Sequence, residues 1–231
     1  MTVTTTEPTV TVSYERQAAI IDPRKASETH VTICGLGTVG SNAAVELARL
    51  GICKFHLIDF DVIEPHNMPS QRYGISDLGR TKAEALAEQI AAVNDKASLT
   101  FYEQPLVGGE IFPDGPVILA VDNMDVRKAI LDLSLAYHPE YPLVMDFRMG
   151  GNNLQVFSFN PSEHNDLKKY GGYHFPQSEA EPVPCGGRTV SYVGALSGAL
   201  AANYVRKHIN GDKVPFLTAM SMDTMFLQTL G

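Results

Sequence analysis

HVTICGLGTVGSNAAVELARL, residues 30–50, joins three local patterns without a gap. Residues 30–34 form a short apolar run with β-branched side chains, which predicts a strand, and residues 41–50 have the apolar spacing of a helix. The turn between them holds three glycines: Gly35, Gly37 and Gly40. A second apolar run follows at residues 54–60. Strand, glycine turn, helix and strand predict a βαβ unit of a parallel sheet.

The rest of the chain continues the alternation of helices and strands. Further helices are predicted at residues 13–21, 82–94, 125–137 and 192–209. Further strands are predicted at residues 98–103, 117–121, 143–147 and 153–159. The continuous apolar run 117–121 is typical of a central parallel strand that helices cover on both faces. The expected fold is therefore α/β, with a Rossmann-like, mostly parallel sheet flanked by helices.

Two stretches do not fit regular elements. Residues 1–12 are rich in threonine and are predicted to be a disordered tail. Residues 160–188 are rich in Pro, Gly, His and acidic side chains, and are predicted to form a long, mobile crossover loop over the active site. The remaining chain, residues 13–231, has the length of a single domain.

The composition limits the classes of protein to consider. The 231 residues are 44% hydrophobic and 19% charged, as in soluble globular proteins. A net charge of −8 argues against a nucleic-acid partner. We find neither a signal-peptide pattern nor a run of about eighteen apolar residues, so no membrane partner is expected. The three cysteines form no CxxC pair, which favours a reducing cytoplasm and predicts no structural zinc.

The three glycines have the spacing of a nucleotide-binding turn. Glycine allows the backbone N–H groups at a helix N-terminus to approach a phosphate group. Asp59, at the end of the second predicted strand, can bind a ribose hydroxyl. This motif alone does not separate NAD from ATP.

A second set of polar residues favours ATP. It lies in three stretches, residues 59–72, 79–82 and 122–127. Amide side chains, cations and a carboxylate at a strand end are what a polyphosphate and Mg²⁺ require. Hydride transfer to a nicotinamide needs a proton relay instead.

The chain resembles the ThiF/MoeB/HesA family, the adenylating fold of ubiquitin-like-protein activating enzymes. The resemblance extends from Tyr14 to Gly211 and depends on YERQ, VTICGLGTVGSNAAVELARLGI, LIDFDVIEPHN, GRTKAEALAEQIAAVN and AVDNMDVR, in the family's order. It implies an ATP-dependent adenylyltransferase that activates a carboxylate, usually the C-terminal glycine of a ubiquitin-like or sulfur-carrier protein. ATP and Mg²⁺ are the implied cofactors.

The resemblance also implies roles for individual residues. The implied nucleotide ligands are Gly35, Gly37 and Gly40 in the phosphate loop, Asp59 at the ribose, and Asp61, Asn67, Gln71, Arg72 and Lys82 around the nucleotide. The implied catalytic residues are Arg16, Lys82, Asp122 and Cys185. Asp122 would hold Mg²⁺. Arg16 would reach into the site of a partner subunit, which implies a homodimer.

The chain departs from the family's pattern in two places. Many members have Arg-Gln where this chain has Ser70-Gln71-Arg72, so Arg72 either replaces the missing arginine from a shifted position or points away. The two zinc-binding CxxC pairs of many members are absent. Cys185, which precedes the last long helix, either forms a covalent link to the acyl group or is an ordinary loop cysteine. The other two cysteines, Cys34 and Cys53, are expected in the core.

Other interpretations stay open. Lys82 could be a solvated charge, Asp122 a helix cap, Arg16 a surface residue and Arg127 a structural ion-pair residue. The loop residues His164, His174, Glu179 and Glu181 could form a metal site or supply a general base, but are expected to be solvated. The chain could also activate a small molecule or an RNA base, act as an inactive nucleotide-binding partner subunit, or be an NAD oxidoreductase.

Overall fold

The computed structural model describes residues 11–138, 140–180 and 189–231, and an eight-stranded sheet forms its centre. The strands are β1 His30–Cys34, β2 Lys54–Ile58, β3 Ser98–Tyr102, β4 Val117–Leu119, β5 Val144–Gly150, β6 Asn153–Phe159, β7 Leu217–Ser221 and β8 Phe226–Leu230. Their order across the sheet is β3-β2-β1-β4-β5-β6-β7-β8. Strands β1 to β5 are parallel, and β6, β7 and β8 extend the sheet with antiparallel pairs.

Helices cover both faces of the sheet. They are α1 Pro23–Glu28, α2 Thr38–Leu50, α3 Lys82–Ala91, α4 Met124–Ala129, α5 His164–Gly171 and α6 Ser191–Asn210. A π-helical segment, Ile130–Leu135, continues α4. Short 3₁₀ turns lie at Glu15–Gln17, Pro65–Asn67, Ile75–Asp77 and Gln177–Glu179. The buried side chains of α1, α2, α3 and α6 belong to one core layer, and those of α5 and the π-helical segment belong to the other.

Side-chain alternation along the strands creates these two layers. In β1, Val31 and Ile33 pack in the layer of α2 and α6, whereas Cys34 packs in the layer of α5. The same alternation in β5 sends Met145 to the first layer and Val144 to the second. Each central strand is therefore apolar on both faces, which explains its continuous apolar run.

The strand order determines where a ligand can bind. β1 lies between β2 and β4, so the chain leaves β1 toward one side of the sheet and later crosses to the other side. In such sheets the binding crevice lies at the carboxyl ends of the strands, where the order reverses. β1 ends at Cys34, directly before the glycines, and β4 ends beside it at Leu119. The glycine loop is therefore at the switch point of the sheet.

The predicted α/β class and mostly parallel sheet are confirmed. Three details differ. Residues 13–21, predicted as a helix, contain only the 3₁₀ turn Glu15–Gln17, and α1 begins after them at Pro23. α5 lies within the stretch predicted as loop, and β7 and β8 were not predicted. Cys34 and Cys53 are buried free thiols, as predicted. None of the helices in the described ranges combines the length and apolar character that crossing a membrane requires. Residues 1–10 of the predicted tail and residues 181–188 of the predicted loop lie outside the described residues.

Glycines in α6 allow it to lie close to α2. A Cβ added at Gly198 would be 2.8 Å from the backbone oxygen of Asn42, and one at Gly194 would be 2.7 Å from Cγ2 of Thr38. The small-residue face of this helix therefore packs mainly on α2. This contact fixes the orientation of α2, whose N-terminus follows the glycine loop.

Replacing Gly198 by alanine should destabilise the protein by about 1–3 kcal/mol, because the new methyl group overpacks a backbone contact. Gly171→Ala is the matched control, since no described atom lies within 4 Å of the Cβ position at Gly171. Urea unfolding of the two variants measures the difference. Equal stability of Gly198→Ala and wild type would contradict the close α2–α6 contact.

Candidate functional site

The glycine loop lies against the end of β4 and leaves one side open. Gly35 has a φ of +90°, and a Cβ there would be 2.8 Å from the backbone oxygen of Ala120. A Cβ at Gly40 would be only 1.9 Å from the backbone oxygen of Gly35, so the first turn of α2 rests on the loop. The Cβ position of Gly37 has a single described neighbour within 4 Å, Nε2 of Gln71 at 3.9 Å.

The N-terminus of α2 is available to an anion. Gly37 is its N-cap, and no side chain of the described residues caps it. The first N–H groups of a helix lack partners within the helix and, with the helix dipole, favour a negative group. The open side of Gly37 and this helix end together have the features that suit a phosphate group.

Asp59 fastens the glycine loop to the end of β2. Its two carboxylate oxygens accept backbone N–H groups, from Leu36 at 2.6 Å and from Asp61 at 2.8 Å. Burial raises the pKa of Asp59, while the charge of Lys82 and the two backbone N–H groups oppose this increase. The carboxylate therefore holds the glycine loop in place, a contact that the sequence did not predict, while its role at the ribose stays a prediction.

Lys82 is buried beside the same carboxylates. Its side chain is 7% exposed, and Nζ lies 2.6 Å from an Asp61 oxygen and 3.8 Å from an Asp59 oxygen. Thr81 places it there, because Thr81 caps α3 and the Lys82 backbone N–H donates to the Asp61 carbonyl. Lys82 is therefore not a solvated charge. It is a cation held at the edge of the crevice.

Residues 67–73 lie beside the glycine loop and α2, and we call this segment the arm. Asn67 is buried, and its side-chain oxygen accepts the Glu64 backbone N–H at 2.9 Å. Oε1 of Gln71 is buried without a hydrogen-bond partner among the described residues. Burying an acceptor without a partner costs free energy unless a ligand or a water molecule donates a hydrogen bond to it. Gln71 therefore fits a role at a bound ligand.

Asp122 is exposed just beyond the end of β4. Asn123, not Asp122, caps α4: its side-chain oxygen accepts the N–H groups of Asp125 and Val126. The Asp122 carboxylate therefore remains free of a capping role. No group of three or more His, Cys, Asp and Glu side chains within the described ranges is arranged to hold a metal ion.

A buried ion cluster lies behind Asp122. Asp146 is fully buried, pairs with Arg127, and accepts from Arg148 Nε at 2.7 Å and from the Tyr170 hydroxyl at 2.9 Å. Arg127 also donates to the backbone oxygens of Val121 and Phe147. Arg127 is therefore the ion-pair residue considered from the sequence, and it ties the chain just before Asp122 to β5.

His174 completes this cluster, contrary to the expectation that it is solvated. Both ring nitrogens are buried without described partners, and the ring meets the edge of Tyr170 with centroids 5.0 Å apart. Burial lowers the pKa of His174 to about 4, with further lowering by Arg148, Lys128 and Arg127 and an opposing effect of Asp132. The imidazole is therefore neutral at physiological pH.

Some predicted site residues lie away from the crevice or beyond the described chain. Arg16 is exposed on a 3₁₀ turn and lines a surface pocket with Arg49 and Val93, near the C-terminal end of α2. Arg72 contacts α2, through Asn42 and Glu46. Cys185 lies outside the described residues.

Other residues of the site were not found from the sequence. Asn42 and Tyr73 fasten the arm to α2 and to the glycine loop, and Asp146 and Arg148 form the ion cluster. The sequence did contain a signal for the ion cluster. An acidic and a basic residue, Asp146 and Arg148, occupy alternate positions of an otherwise apolar strand. Asn42 lies within a helical pattern, where nothing local distinguishes it from a surface amide.

This fold and its glycine loop define a Rossmann-like class of α/β protein. The ThiF family model matches residues 14–229, so the chain belongs to the ThiF family.

Curated relatives support this membership. The chain is 26% identical over 200 residues to the probable adenylyltransferase/sulfurtransferase MoeZ of Mycobacterium tuberculosis, covering 82% of this chain and 49% of MoeZ. It is 31% identical over 136 residues to tRNA threonylcarbamoyladenosine dehydratase of Escherichia coli, covering 54% of this chain and 48% of that enzyme. The ubiquitin-like modifier-activating enzyme 5 of rice is 26% identical over 143 residues, covering 62% of this chain and 34% of the relative. The chain thus spans about half the length, or less, of these relatives.

Solved structures share the fold. MccB of Escherichia coli, solved with ATP, matches with a TM-score of 0.68 and 18% identity, covering 90% of this chain and 65% of MccB. PaaA matches with a TM-score of 0.70 and 18% identity, covering 94% of this chain and 83% of PaaA.

His174 should make the folded protein sensitive to mild acid. Because its pKa is about 4 when folded, against 6.5 as the ordinary value, the unfolded chain binds more protons between these pH values. The free energy of unfolding should therefore fall as pH decreases from 6.5 toward 4.

His174→Phe keeps the ring contact with Tyr170 and cannot be protonated. Chemical unfolding at pH 7 and pH 5 should show a smaller loss of stability for this variant than for wild type. Equal losses would show that His174 is not held neutral in the fold.

Proposed function

We propose that this chain binds ATP at the carboxyl edge of its sheet and transfers the adenylyl group to a carboxylate. The main observation is the buried Lys82, held between Asp59 and Asp61 next to an uncapped helix N-terminus. Burying an ammonium group is costly, and such a group is kept where charge must be stabilised. A crevice for hydride transfer has no need of this cation.

The geometry supports a specific arrangement of the nucleotide. The phosphates would accept the N–H groups of the first turn of α2, with the open side of Gly37 allowing close approach. Gln71 would donate its amide N–H groups to the phosphates, and its buried Oε1 would accept from the ligand or a bound water. The ribose would lie toward Asp59, at the end of β2.

Asp122 would hold Mg²⁺, and the bound ion would offset negative charge on the triphosphate. Asp59, Asp61 and Lys82 have a local net charge of −1 when both carboxylates are ionised, which repels a bare triphosphate. Mg²⁺ usually binds one or two carboxylates together with phosphate oxygens and water, rather than a cage of protein ligands. The exposed Asp122 carboxylate fits this chemistry.

The reaction would be an in-line substitution at phosphorus. A carboxylate oxygen of the substrate attacks the α-phosphorus, a new C–O–P linkage forms, and the bond to the bridging oxygen of the β-phosphate breaks. Pyrophosphate leaves with that electron pair, and no proton transfer is required. Lys82 and Mg²⁺ would stabilise the negative charge on the phosphate oxygens.

The substrate would be the C-terminal carboxylate of a ubiquitin-like protein, a sulfur-carrier protein or a peptide. Two observations support this class: MccB has been solved with MccA, and the relatives include ubiquitin-like modifier-activating enzyme 5. The Cys185 thiolate would then attack the acyl carbon, so that a thioester forms, the acyl C–O bond to the phosphate breaks and AMP leaves. The dehydratase relative suggests an RNA base as an alternative, which the net charge of −8 disfavours.

Loss of Lys82 or Asp122 should abolish adenylation. We expect Lys82→Ala and Asp122→Ala each to slow ATP–pyrophosphate exchange, measured with Mg²⁺ and a candidate carrier, by at least about 100-fold. Lys54→Ala, at an exposed position of β2, is the matched control and should retain the wild-type rate. Exchange that persists in both site variants would refute the proposed mechanism.

Arg16 should act in the site of a partner subunit. α2 has 13 residues, so Arg16, near its C-terminal end, is about 20 Å from its own glycine loop. We therefore expect Arg16→Ala and Lys82→Ala proteins to be inactive alone. In each mixed dimer, Lys82 of the Arg16→Ala subunit and Arg16 of the Lys82→Ala subunit should together form one intact site.

The mixture should recover on the order of a quarter of the wild-type rate, because half of the dimers are mixed and each has one intact site. ATP–pyrophosphate exchange after co-refolding measures this recovery. Full activity of Arg16→Ala alone, or no recovery in the mixture, would contradict action in trans.

A further inference from the structure

Arg72 is fastened to α2 rather than directed into the crevice. Its Nε donates to Oδ1 of Asn42 at 2.8 Å, and its Nη2 lies 2.9 Å from a carboxylate oxygen of Glu46. Its backbone N–H donates to the Ser41 hydroxyl at 3.1 Å. Three contacts to one helix thus hold this single residue of the arm.

Asn42 connects Arg72 to the start of the phosphate-binding helix. Its Nδ2 donates to the Thr38 carbonyl at 2.7 Å and lies 3.4 Å from the Ser70 carbonyl. Asn42 is 4% exposed, and glycines at positions 194 and 198 of α6 leave the space it occupies. The amide is therefore fully used: its oxygen accepts from Arg72, and its nitrogen donates to α2 and to the arm.

Two further contacts join the arm to the glycine loop. The hydroxyl groups of Ser70 and Thr38 are 3.0 Å apart, and the buried Tyr73 hydroxyl donates to the Leu36 carbonyl at 2.7 Å. Between them lies Gln71, with Nε2 near the Cβ position of Gly37. The position of Gln71 over the loop therefore depends on how firmly its neighbours are held.

We propose that Arg72, with Asn42 and Glu46, is a positioning clamp: it holds the arm against α2 so that Gln71 lies over the phosphate-binding turn. This assignment replaces the direct nucleotide contact expected for Arg72. Its effect on ATP affinity rests on the proposed function, whereas its effect on the arm does not.

The hydrogen bonds favour a clamp over a phosphate ligand. If Arg72 turned toward the phosphates, Oδ1 of the buried Asn42 would lose its donor and Glu46 would lose its cation. The Arg72–Glu46 pair is electrically neutral, so it attracts phosphate less than a single arginine does. A clamp requires both contacts intact when ATP binds, whereas a ligand requires both broken.

A double-mutant cycle distinguishes the two roles. The variants are Glu46→Ala, Arg72→Ala and the double variant, with Mg-ATP affinity measured by calorimetry. The clamp predicts that each single variant binds ATP about three- to tenfold more weakly and that the double variant is no weaker than the worse single one. Tighter binding by Glu46→Ala, which releases Arg72, would overturn the proposal, as would unchanged binding.

Amide hydrogen exchange tests the clamp without ATP. The N–H groups of Gln71 and Arg72 should exchange faster in Glu46→Ala than in wild type, while those of β1 should not change. Arg24→Ala/Glu28→Ala, which removes an exposed ion pair in α1, is the matched control and should not alter exchange in the arm.

The two readouts separate the clamp from the adenylation proposal. If wild type fails to bind Mg-ATP but exchange in the arm accelerates, the clamp holds and the proposed function fails. If exchange in the arm is the same in Glu46→Ala and wild type, the clamp is wrong whatever the ATP result.

Discussion

The contact between the Asp59 carboxylate and the Leu36 N–H organises the site. It joins the end of β2 to the glycine loop that follows β1, and so converts the edge of a parallel sheet into one wall of a crevice. The end of β4 lies against the same loop. Gly35 has no Cβ, so its backbone can pack against the backbone of Ala120. Three neighbouring strand ends thereby meet at one turn. Every other polar group of the site is positioned relative to that turn.

The buried lysine, arginine and aspartate side chains of the described residues are paired, and the pairs lie on either side of the crevice. Lys82 with Asp59 and Asp61 lies on the β2 side, and Arg127 with Asp146 lies behind β4. Pairing of this kind adds little net stability, because desolvation offsets most of the attraction. What it supplies is fixed geometry: the cation stays at the crevice edge, and the chain before Asp122 stays tied to β5. The site is therefore preorganised, which is the form that electrostatic catalysis requires.

The elements that were predicted correctly have a local signal. β1, β2 and β4 are apolar on successive residues, and α2 and α3 have strong helical periodicity, because helices cover both faces of the sheet. β7 and β8 lack such a signal: β8 is exposed along its length and forms by pairing with β7 at the edge of the sheet. α5 was missed because it is short and polar, and tertiary contacts of Tyr170 with Asp146 and Phe159 hold it. Such contacts join residues far apart in sequence and leave no local period.

The sequence by itself determined the fold class, the glycine turn between β1 and α2, and the family, since apolar periodicity and glycine spacing are local signals. It also identified Lys82 and Asp122 as polar residues at strand and helix boundaries. Only the tertiary structure decided which way each arginine points. From the sequence, Arg72 was expected either to contact the nucleotide or to point away, and Arg127 was considered as an ion-pair residue. The long side chains of both arginines reach several partners at similar distance. The direction of each side chain depends on the acceptors that folding brings near it. These acceptors are Asn42 and Glu46 for Arg72, and Asp146 for Arg127.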